Sequence, residues 1–194
     1  MDIVVTNLSK QYDGLQVLHN YNVVFKEGKV SILTGVSGVG KTTLIRILMG
    51  LEKADSGVVK GLENKRISAV FQDDSLCSNL SVLSNIRLVC DDIDRDIIEN
   101  NLKLLGLEGC IDKRVRELSG GMKRRVAILR AILYKFDVLI MDEPFKGLDL
   151  DTKNKVVNFI LENIKGKTVI LISHNLDDRK YFCDSVILNV NENI

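Results

Sequence analysis

The segment GVSGVGKTT at residues 35–43 combines glycines, a lysine and two threonines in a spacing suited to phosphate chemistry. It matches G-x-x-x-x-G-K-[ST], follows a predicted strand and opens a predicted helix, which an incidental glycine-rich turn would not explain. Glycines let consecutive backbone N–H groups curve around phosphate oxygens, and the helix N-terminus adds partial positive charge. Lys41 would contact the β- and γ-phosphates, and the Thr42 hydroxyl would be a ligand of Mg²⁺.

The stretch VLIMDEP at residues 138–144 predicts an apolar strand that ends in two adjacent carboxylates, Asp142 and Glu143. A buried strand has reason to end at charged residues, but two consecutive acids favour a nearby cation. We therefore expect Asp142 to hold Mg²⁺, directly or through water, and Glu143 to polarise an attacking water molecule. The simpler alternative is that both acids cap the following turn. Together the two segments predict a protein that binds a nucleoside triphosphate with magnesium.

A second glycine pair, Gly120 and Gly121, begins a long stretch with helical spacing in LSGGMKRRVAILRAIL. Each glycine costs a helix roughly 1 kcal/mol relative to alanine. One explanation is a turn with Ser119 as the helix N-cap. The other is that these backbone N–H groups approach an anion, because a γ-phosphate needs donors on its open face as well. Donors too distant to reach the phosphate site of their own chain would serve the site of another subunit.

Alternating strands and helices must position these groups. Strands are predicted at DIVVTNL, NYNVVFK, KVSILTG, RISAVFQ, DVLIMDEP, KTVILIS and SVILNV, with SKQYDGLQVLH connecting the first two. Helical spacing is found in KTTLIRILMG, in residues 121–134, in TKNKVVNFILENI and near LDDRKYF. Residues 81–107 instead predict a helical insertion, with clusters of acids between its helices. The pattern predicts an α/β fold with a mostly parallel, covered sheet.

The composition narrows the classes of function. The chain has 194 residues with 27 basic and 26 acidic side chains, so its charge predicts no nucleic-acid partner. No apolar run approaches the roughly 18 residues of a membrane-spanning helix, and MDIVVTNLSKQ lacks the apolar region of a signal peptide. The scattered cysteines predict reduced thiols in a cytoplasmic protein; they are Cys77, Cys90, Cys110 and Cys183.

In the order of its motifs the chain resembles the ATP-binding subunits of ABC transporters. GVSGVGKTT is similar to the Walker A loop, VFQ to the glutamine loop, LSGGM to the family signature, VLIMDEP to Walker B, GLD to the D-loop and LISHN to the switch histidine. The resemblance implies a P-loop NTPase core with a mostly parallel sheet, an N-terminal antiparallel β subdomain and a small helical subdomain that carries the signature. Residues 1–194 would be a single ABC ATPase domain, with approximately 1–75 and 135–194 as the ATP-binding core and 76–134 as the helical subdomain.

The resemblance also implies roles for the site residues. Glu143, His174 and Gln72 would be catalytic, and Mg²⁺ would be held by Thr42, Gln72 and Asp142. ATP would be bound by Tyr12, stacked on adenine, and by Gly35, Ser37, Gly38, Val39, Gly40, Lys41, Thr42, Thr43, Ser119, Gly120, Gly121 and Asp149. Two subunits would pack head to tail, so that Ser119 and Gly121 of each contact the γ-phosphate held by the other.

Two features next to the signature need separate interpretation. Met122 stands where the family usually has glutamine, and we expect activity to survive because the contacts implied here come from Ser119 and the backbone. The basic run at residues 123–125 is interpreted as a solvated helix face with interface charge.

The resemblance further implies a transporter subunit for bacterial import of a small solute. Residues 73–89 resemble the region of the family that contacts the permease, in a pattern closest to the nitrate/sulfonate/taurine importer group. The implied partners are transmembrane permease subunits, a second ATPase subunit and a substrate-binding protein. The chain would then be cytoplasmic, peripheral on the inner face of the cell membrane. The alternative is a soluble non-transport ABC ATPase, such as an iron–sulfur assembly ATPase.

Overall fold

The computed structural model describes residues 1–182 and 184–190, which form two compact units. The first unit comprises residues 1–67, 137–142 and the described residues from 166 onward; the second comprises residues 68–136 and 143–165. Along the chain the elements are β1 (Ile3–Tyr12), β2 (Leu15–Phe25), β3 (Val30–Thr34), α1 (Lys41–Leu48), β4 (Ser56–Lys60), β5 (Ile67–Val70), α2 (Val82–Arg87), α3 (Arg95–Leu104), α4 (Gly120–Leu133), β6 (Val138–Asp142), α5 (Leu150–Asn163), β7 (Thr168–Ile172) and β8 (Val186–Asn189). Short 3-10 helices lie at Val115–Glu117 and Leu176–Tyr181.

The predicted α/β class and the mostly parallel sheet are confirmed. The larger sheet has the strand order β5-β6-β7-β3-β8. Within the first unit, β6 pairs with β7, β7 with β3 and β3 with β8, all in parallel. Every residue of β6 and of β7 is buried. This explains why both strands have continuous apolar sequences, since a strand covered on both faces has no solvent side to make polar.

The antiparallel β subdomain implied by the resemblance is also present, as a three-stranded sheet in the order β2-β1-β4. The interpretation of SKQYDGLQVLH as a connection is wrong, because β1 and β2 run through most of it and pair from Ile3 with Phe25 to Tyr12 with Leu15. The turn is only Asp13 and Gly14, both with positive φ (46° and 84°). Such a two-residue turn matches the twist of the flanking strands.

The core of the first unit lies between its two sheets and α1. The largest fully buried side chains there include Phe25, Leu33 and Leu44. Helix α1 buries Leu44, Ile45 and Leu48, the spacing of one helical face. Burial of each such side chain contributes about 1.5–3 kcal/mol, so the helix that begins at Lys41 is firmly anchored by its apolar face.

The second unit contains four helices, α2 to α5, among the residues that the structure describes. Asn85 in α2 is fully buried and its amide ties down the preceding loop. It accepts a hydrogen bond from Cys77 N (2.8 Å) and donates to the carbonyl oxygens of Cys77 (3.0 Å) and Ser81 (2.9 Å). These bonds satisfy an amide that would otherwise be costly to bury.

Three of the four cysteines lie among the residues that the structure describes. Cys77, Cys90 and Cys110 are free thiols, and Cys183 lies outside the described residues. Across residues 1–182 and 184–190, no helix has both the length and the apolar character needed to cross a bilayer.

Candidate functional site

The phosphate-binding loop, residues 35–40, connects β3 to α1 and has a backbone that only glycine fits at two positions. Gly35 has φ 143°, and a Cβ there would lie 2.5 Å from the carbonyl oxygen of Val190. Gly40 has φ 96°, and its Cβ would lie 2.6 Å from the carbonyl oxygen of Val17. Real Cβ atoms do not approach backbone oxygens so closely, and L-residues rarely adopt these φ values. The loop shape that the sequence pattern predicts is therefore built into the fold.

Lys41 is the first residue of α1 and is almost fully buried, with 5% of its surface exposed. Its Nζ donates hydrogen bonds to the carbonyl oxygens of Gly35 (2.8 Å) and Val36 (2.7 Å). The first turn of α1 contains no acidic residue. A full positive charge and the positive end of a helix dipole therefore lie beside the loop. Both favour the binding of a negatively charged phosphate chain.

Thr42 and Asp142 are brought together although they lie 100 positions apart in the sequence. The Thr42 hydroxyl donates to Asp142 Oδ2 at 3.1 Å. Asp142 is the last residue of β6 and is 4% exposed. The parallel register places Asp142 beside Ile172 of β7, and Ile172 beside Leu33 of β3. The carboxyl ends of these three strands therefore form one edge, where open α/β sheets bind their ligands.

A magnesium ion fits the residues at this edge. No three His, Cys, Asp or Glu side chains gather into a metal site within the described part of the chain. Magnesium does not require such a cage, because it keeps several waters and binds through one or two carboxylates and substrate phosphates. The hydroxyl of Thr42 and the carboxylate of Asp142 are hard oxygen donors of that kind. Gln72, the third predicted ligand, belongs to the second unit.

His174 follows β7 by two residues and is exposed, at the same edge as Asp142. Hydrogen bonds on both sides hold its backbone. Ser173 Oγ donates to the carboxylate of Asp178, which is 3% exposed, and accepts from Asn175 N at 3.1 Å. The Ser173 hydroxyl therefore ties the residues on both sides of the histidine together and fixes the backbone at this edge.

Tyr12 ends β1 at the tip of the hairpin and is 39% exposed. The hairpin packs against the phosphate-binding loop, since a Cβ on Gly40 would also lie 2.8 Å from Leu18 Cδ2. Lys10 Nζ lies over the tyrosine ring, 5.1 Å from its centre. The remaining predicted loop residues, Ser37, Gly38, Val39 and Thr43, lie on the loop or in the first turn of α1.

In the second unit, Gln72 lies on a segment that two arginines of α4 hold by its backbone. Arg124 donates from Nη1 to the Phe71 carbonyl oxygen (2.5 Å) and from Nη2 to that of Gln72. Arg130 Nη1 donates to the carbonyl oxygen of Ser75 (3.0 Å). Arg124 also pairs with Asp74 (Nε–Oδ1 3.2 Å), whose pKa is raised because burial outweighs this ion pair. The glutamine segment and the helix that begins at the signature are therefore directly coupled.

The interpretation of residues 123–125 as a solvated helix face is wrong for its two arginines. Arg124 is 7% exposed. Arg125 is half-buried and donates to the carbonyl oxygens of Gly121 (3.1 Å) and Leu105 (2.8 Å). Burial also lowers the pKa of Arg125. The guanidinium groups are buried because planar donors can satisfy several backbone carbonyls at once.

The signature residues stand at the N-terminus of α4. Ser119 is the N-cap, and its Oγ accepts a hydrogen bond from Met122 N at 3.3 Å. Gly120 and Gly121 are helical, unlike the glycines of the phosphate-binding loop. A Cβ on Gly120 would meet nothing within 4 Å, and one on Gly121 would make ordinary contact with Leu148 Cδ2 at 3.5 Å. The N-cap explanation is therefore confirmed for Ser119 but gives no reason for either glycine.

Asp149 is the N-cap of α5. Its Oδ1 accepts from Thr152 N (2.9 Å) and its Oδ2 from Thr152 Oγ1 (2.7 Å). These hydrogen bonds lower the pKa of the Asp149 carboxyl. The structure thus gives this carboxylate a definite role in starting α5.

Glu143 directly follows Asp142 in the chain and has φ 48°, in the left-handed region that favours glycine. Non-glycine residues held there are enriched at active sites. Lys146 contacts it twice: the backbone N–H donates to the Glu143 carbonyl oxygen (3.2 Å), and Nζ lies 3.1 Å from Glu143 Oε2. The carboxylate therefore has a cation beside it on the following turn.

Sequence reasoning missed several residues that support the site, namely Lys10, Arg124, Arg130 and Lys146. All four are charged side chains that no motif requires. A signal existed only for the arginines, which lie in a helix whose other residues are mostly apolar. Which carbonyl groups they bind depends on the path of a loop some fifty positions away, and helical periodicity carries no such information.

Comparison with known proteins gives consistent matches. The family described as ABC transporter matches residues 18–146. A spermidine/putrescine import ATP-binding protein (PotA) of Spiroplasma citri is 38% identical over 199 residues, covering 94% of this chain and 57% of the relative. An aliphatic sulfonates import ATP-binding protein (SsuB 1) of Pseudomonas syringae pv. syringae is 36% identical over 191 residues, covering 97% of this chain and 79% of the relative. The chain therefore spans little more than half the length of the spermidine/putrescine relative.

Solved structures agree with these sequence matches. The dimeric structure of MJ0796, described as a bacterial ABC transporter cassette, superposes with a TM-score of 0.84 at 27% identity, covering 97% of this chain and 94% of the other. A dimeric post-hydrolysis state of the same cassette, bound to ADP and Pi, gives a TM-score of 0.84 at 26% identity, covering 98% and 97%.

Proposed function

The chain belongs to the ABC transporter family, and from this premise we propose that it binds and hydrolyses Mg-ATP to drive import through a separate membrane permease. The observation that carries the proposal is the edge formed by Lys41, Thr42 and Asp142. A buried lysine, a helix N-terminus and a hydroxyl–carboxylate pair at 3.1 Å lie there, next to a loop that only glycine fits at two positions. ATP binding is supported by the family and by the related cassette bound to ADP and Pi.

We assign the chemical roles as follows. Lys41 and the loop N–H groups bind the β- and γ-phosphates, while Thr42, Asp142 and Gln72 would hold magnesium, which would neutralise phosphate charge. Glu143 orients the attacking water and accepts its proton, and His174 donates to the γ-phosphate as charge develops. The other proposed ATP contacts are Tyr12, Gly35, Ser37, Gly38, Val39, Gly40, Thr43 and Asp149.

We propose that Ser119, Gly120 and Gly121 complete the site of a second subunit packed head to tail. The support is that neither signature glycine is required by the fold of this chain, although both weaken the helix in which they lie. A helix N-terminus whose first two residues are glycines can approach an anion closely. The related cassette described above as dimeric supports the pairing of two such subunits.

The remaining partners are proposed from the relatives. Their printed names describe import of spermidine/putrescine, of aliphatic sulfonates and of bicarbonate. They favour import over an iron–sulfur assembly ATPase, and the sulfonate relative agrees with the importer group that residues 73–89 resemble. We propose that permease subunits hold the chain on the inner face of the membrane and that a substrate-binding protein belongs to the full system.

We also propose that residues 1–194 form a single ATPase domain. Its ATP-binding core and its helical subdomain would meet at approximately residues 75 and 135.

The first test is the mass of purified Glu143→Gln in solution with and without Mg-ATP. We expect its mass to double with Mg-ATP and its turnover to fall at least ~100-fold, the scale for loss of a positioned base. Lys41→Ala in the same background is the matched control and should not double in mass. Hydrolysis by Glu143→Gln at the native rate would show that the role of this residue is wrong.

A second test addresses transport. The native complex, isolated from a cell that expresses the chain at its normal level, is expected to contain a protein with several membrane spans. Repeated recovery of soluble partners alone would overturn the transport assignment while leaving the ATPase intact.

A further inference from the structure

Lys10 occupies an unusual position for a lysine on a strand of an antiparallel sheet. Only 12% of its side chain is exposed, whereas lysines are rarely buried unless paired. Its Nζ lies 3.0 Å from Glu52 Oε1 and 3.3 Å from Asp55 Oδ1, and it covers the ring of Tyr12 at 5.1 Å. Two carboxylates therefore fix one ammonium group against one face of an aromatic ring.

This cluster lies on the hairpin that packs against the phosphate-binding loop. Lys10 pairs with Leu18 across the hairpin, and directly paired residues share a face of the sheet. Leu18 in turn lies against Gly40, at the start of α1. Lys10 and Tyr12 lie on one side of β1, because Lys10 Nζ covers the tyrosine ring. The tyrosine ring is therefore held on the hairpin that packs against the loop proposed to bind the phosphates.

The anchoring carboxylates are charged at neutral pH. The hydrogen bond from Lys10 is the main reason that the pKa of Glu52 is lowered, and the Tyr12 phenol contributes in the same direction. The Gln11 backbone N–H, donating to Asp55 Oδ2 at 2.7 Å, is the main reason that the pKa of Asp55 is lowered. Lys10 thus keeps two charged partners while its position over the ring is maintained.

We propose that Lys10 is a positioning residue for the nucleobase, which it serves by fixing the Tyr12 ring so that adenine stacks on the opposite, open face. The inference deepens the proposed function and rests on it. A cation over an aromatic face is worth a modest interaction, and its loss leaves the ring held only by the weaker contact of its phenol with Glu52. Because the base does not take part in phosphate chemistry, Lys10 sets the affinity for ATP and leaves the turnover of bound ATP unchanged.

The experiment compares Lys10→Met with the native chain in binding of Mg-ATP and of inorganic tripolyphosphate, which has the phosphates but no base. We expect Mg-ATP affinity to fall about two- to fivefold, as for loss of a cation–π contact. Tripolyphosphate affinity and the hydrolysis rate at saturating ATP should stay at native values. Lys10→Arg, which keeps a cation at this place, should retain most of the native ATP affinity.

Two further variants keep the test decisive. Lys26→Met is the matched control, because Lys26 pairs with Asp2 at the opposite end of the same hairpin, and it should leave binding of both ligands unchanged. Glu52→Gln removes one anchor of Lys10 and should lower the affinity for ATP by a smaller factor than Lys10→Met does. If Lys10→Met does not fold, the affinity of Glu52→Gln for ATP and for tripolyphosphate tests the proposal instead.

The opposite results are clearly distinguishable. Unchanged ATP affinity in Lys10→Met would overturn the role of Lys10, because the side chain would then have no effect on nucleotide binding. An equal loss of affinity for ATP and tripolyphosphate would overturn it as well, because Lys10 would then act on the phosphates. Failure of the native chain itself to bind Mg-ATP would overturn the proposed function instead.

Discussion

The glycines of the phosphate-binding loop and those of the signature stand in different physical situations. Gly35 and Gly40 have positive φ, and a Cβ on either would collide with a backbone oxygen of the same chain. Gly120 and Gly121 are ordinary helical residues, where a Cβ has space. The first pair is required for the shape of the loop, whereas the second pair weakens a helix and relieves no clash in return.

This contrast shows where to look for the reason behind a glycine. At Gly40 the reason is found inside the chain, in the path of β2. At Gly120 a Cβ would meet nothing within 4 Å, and this is the observation behind the proposed contact with a second subunit. In the second unit it is instead side chains, chiefly Arg124, that hold the backbone in place. The following four predictions test this distinction, in order of decreasing effect on the free energy of unfolding.

Gly40→Ala is expected to have the largest effect. The new Cβ would clash with the Val17 carbonyl oxygen, and the alanine would have to adopt φ 96°. The free energy of unfolding should therefore fall by about 3 kcal/mol. Mg-ATP binding should be lost as the loop distorts. Urea unfolding followed by circular dichroism measures the first effect and calorimetry the second. A loss of stability below about 1 kcal/mol would show that the loop can move to accept the side chain.

Arg124→Gln tests the corresponding requirement in the second unit. It removes the donors to the carbonyl oxygens of Phe71 and Gln72, and it leaves the partly buried Asp74 without its ion pair. We expect the free energy of unfolding to fall by about 2–3 kcal/mol, with hydrolysis lowered further because Gln72 is displaced. The exposed Arg116→Gln is the matched control. Equal stability of the two variants would mean that the buried arginine is dispensable.

Gly120→Ala should separate folding from function. With no clash and a better helix former, the free energy of unfolding should stay the same or rise by up to about 1 kcal/mol. If the backbone there contacts the phosphate of a partner, the added methyl group should abolish the ATP-dependent doubling in mass when placed in the Glu143→Gln background. Retained doubling would remove the reason proposed for this glycine.

Met122→Gln is expected to have the smallest effect. Met122 contributes its backbone N–H to the Ser119 cap, and the substitution keeps that bond. Substitution of a partly exposed side chain such as this one alters stability by roughly 0.5 kcal/mol or less. Because the proposed phosphate contacts come from Ser119 and the backbone, hydrolysis should change by no more than about threefold. A steady-state ATPase assay is sufficient. A hundredfold change in either direction would show that the side chain at this position acts in the reaction.

The sequence predicted those parts of the fold and site that depend on short-range pattern. The parallel strands, α1, α4 and α5 follow from apolar runs and helical spacing, and the loop before Lys41 follows from its glycines. Strand β4 (Ser56–Lys60) was missed because it is short and has an exposed face, and because β1, with which it pairs, lies nearly fifty positions away. The length of the β1–β2 hairpin was missed because its outer half carries polar residues on both faces.

The supporting side chains could not be predicted for a different reason. A lysine or arginine in a sequence does not show whether its charge lies in water or against carbonyl oxygens. Arg124 and Lys10 are buried because particular groups converge on them: two backbone carbonyls in one case, two carboxylates and a ring in the other. That convergence is a property of the folded chain and leaves no periodic trace in the sequence.

The two hydrogen bonds from Lys41 to its own loop change how a familiar experiment must be interpreted. Replacing this lysine removes a charge, but it also releases the carbonyl groups of Gly35 and Val36 from the donor that holds the curve of the loop closed. A fall in nucleotide affinity would then combine a lost attraction with a lost shape. Lys41→Arg, which keeps the charge on a bulkier head, and Lys41→Met, which keeps the stem alone, would together separate those two contributions.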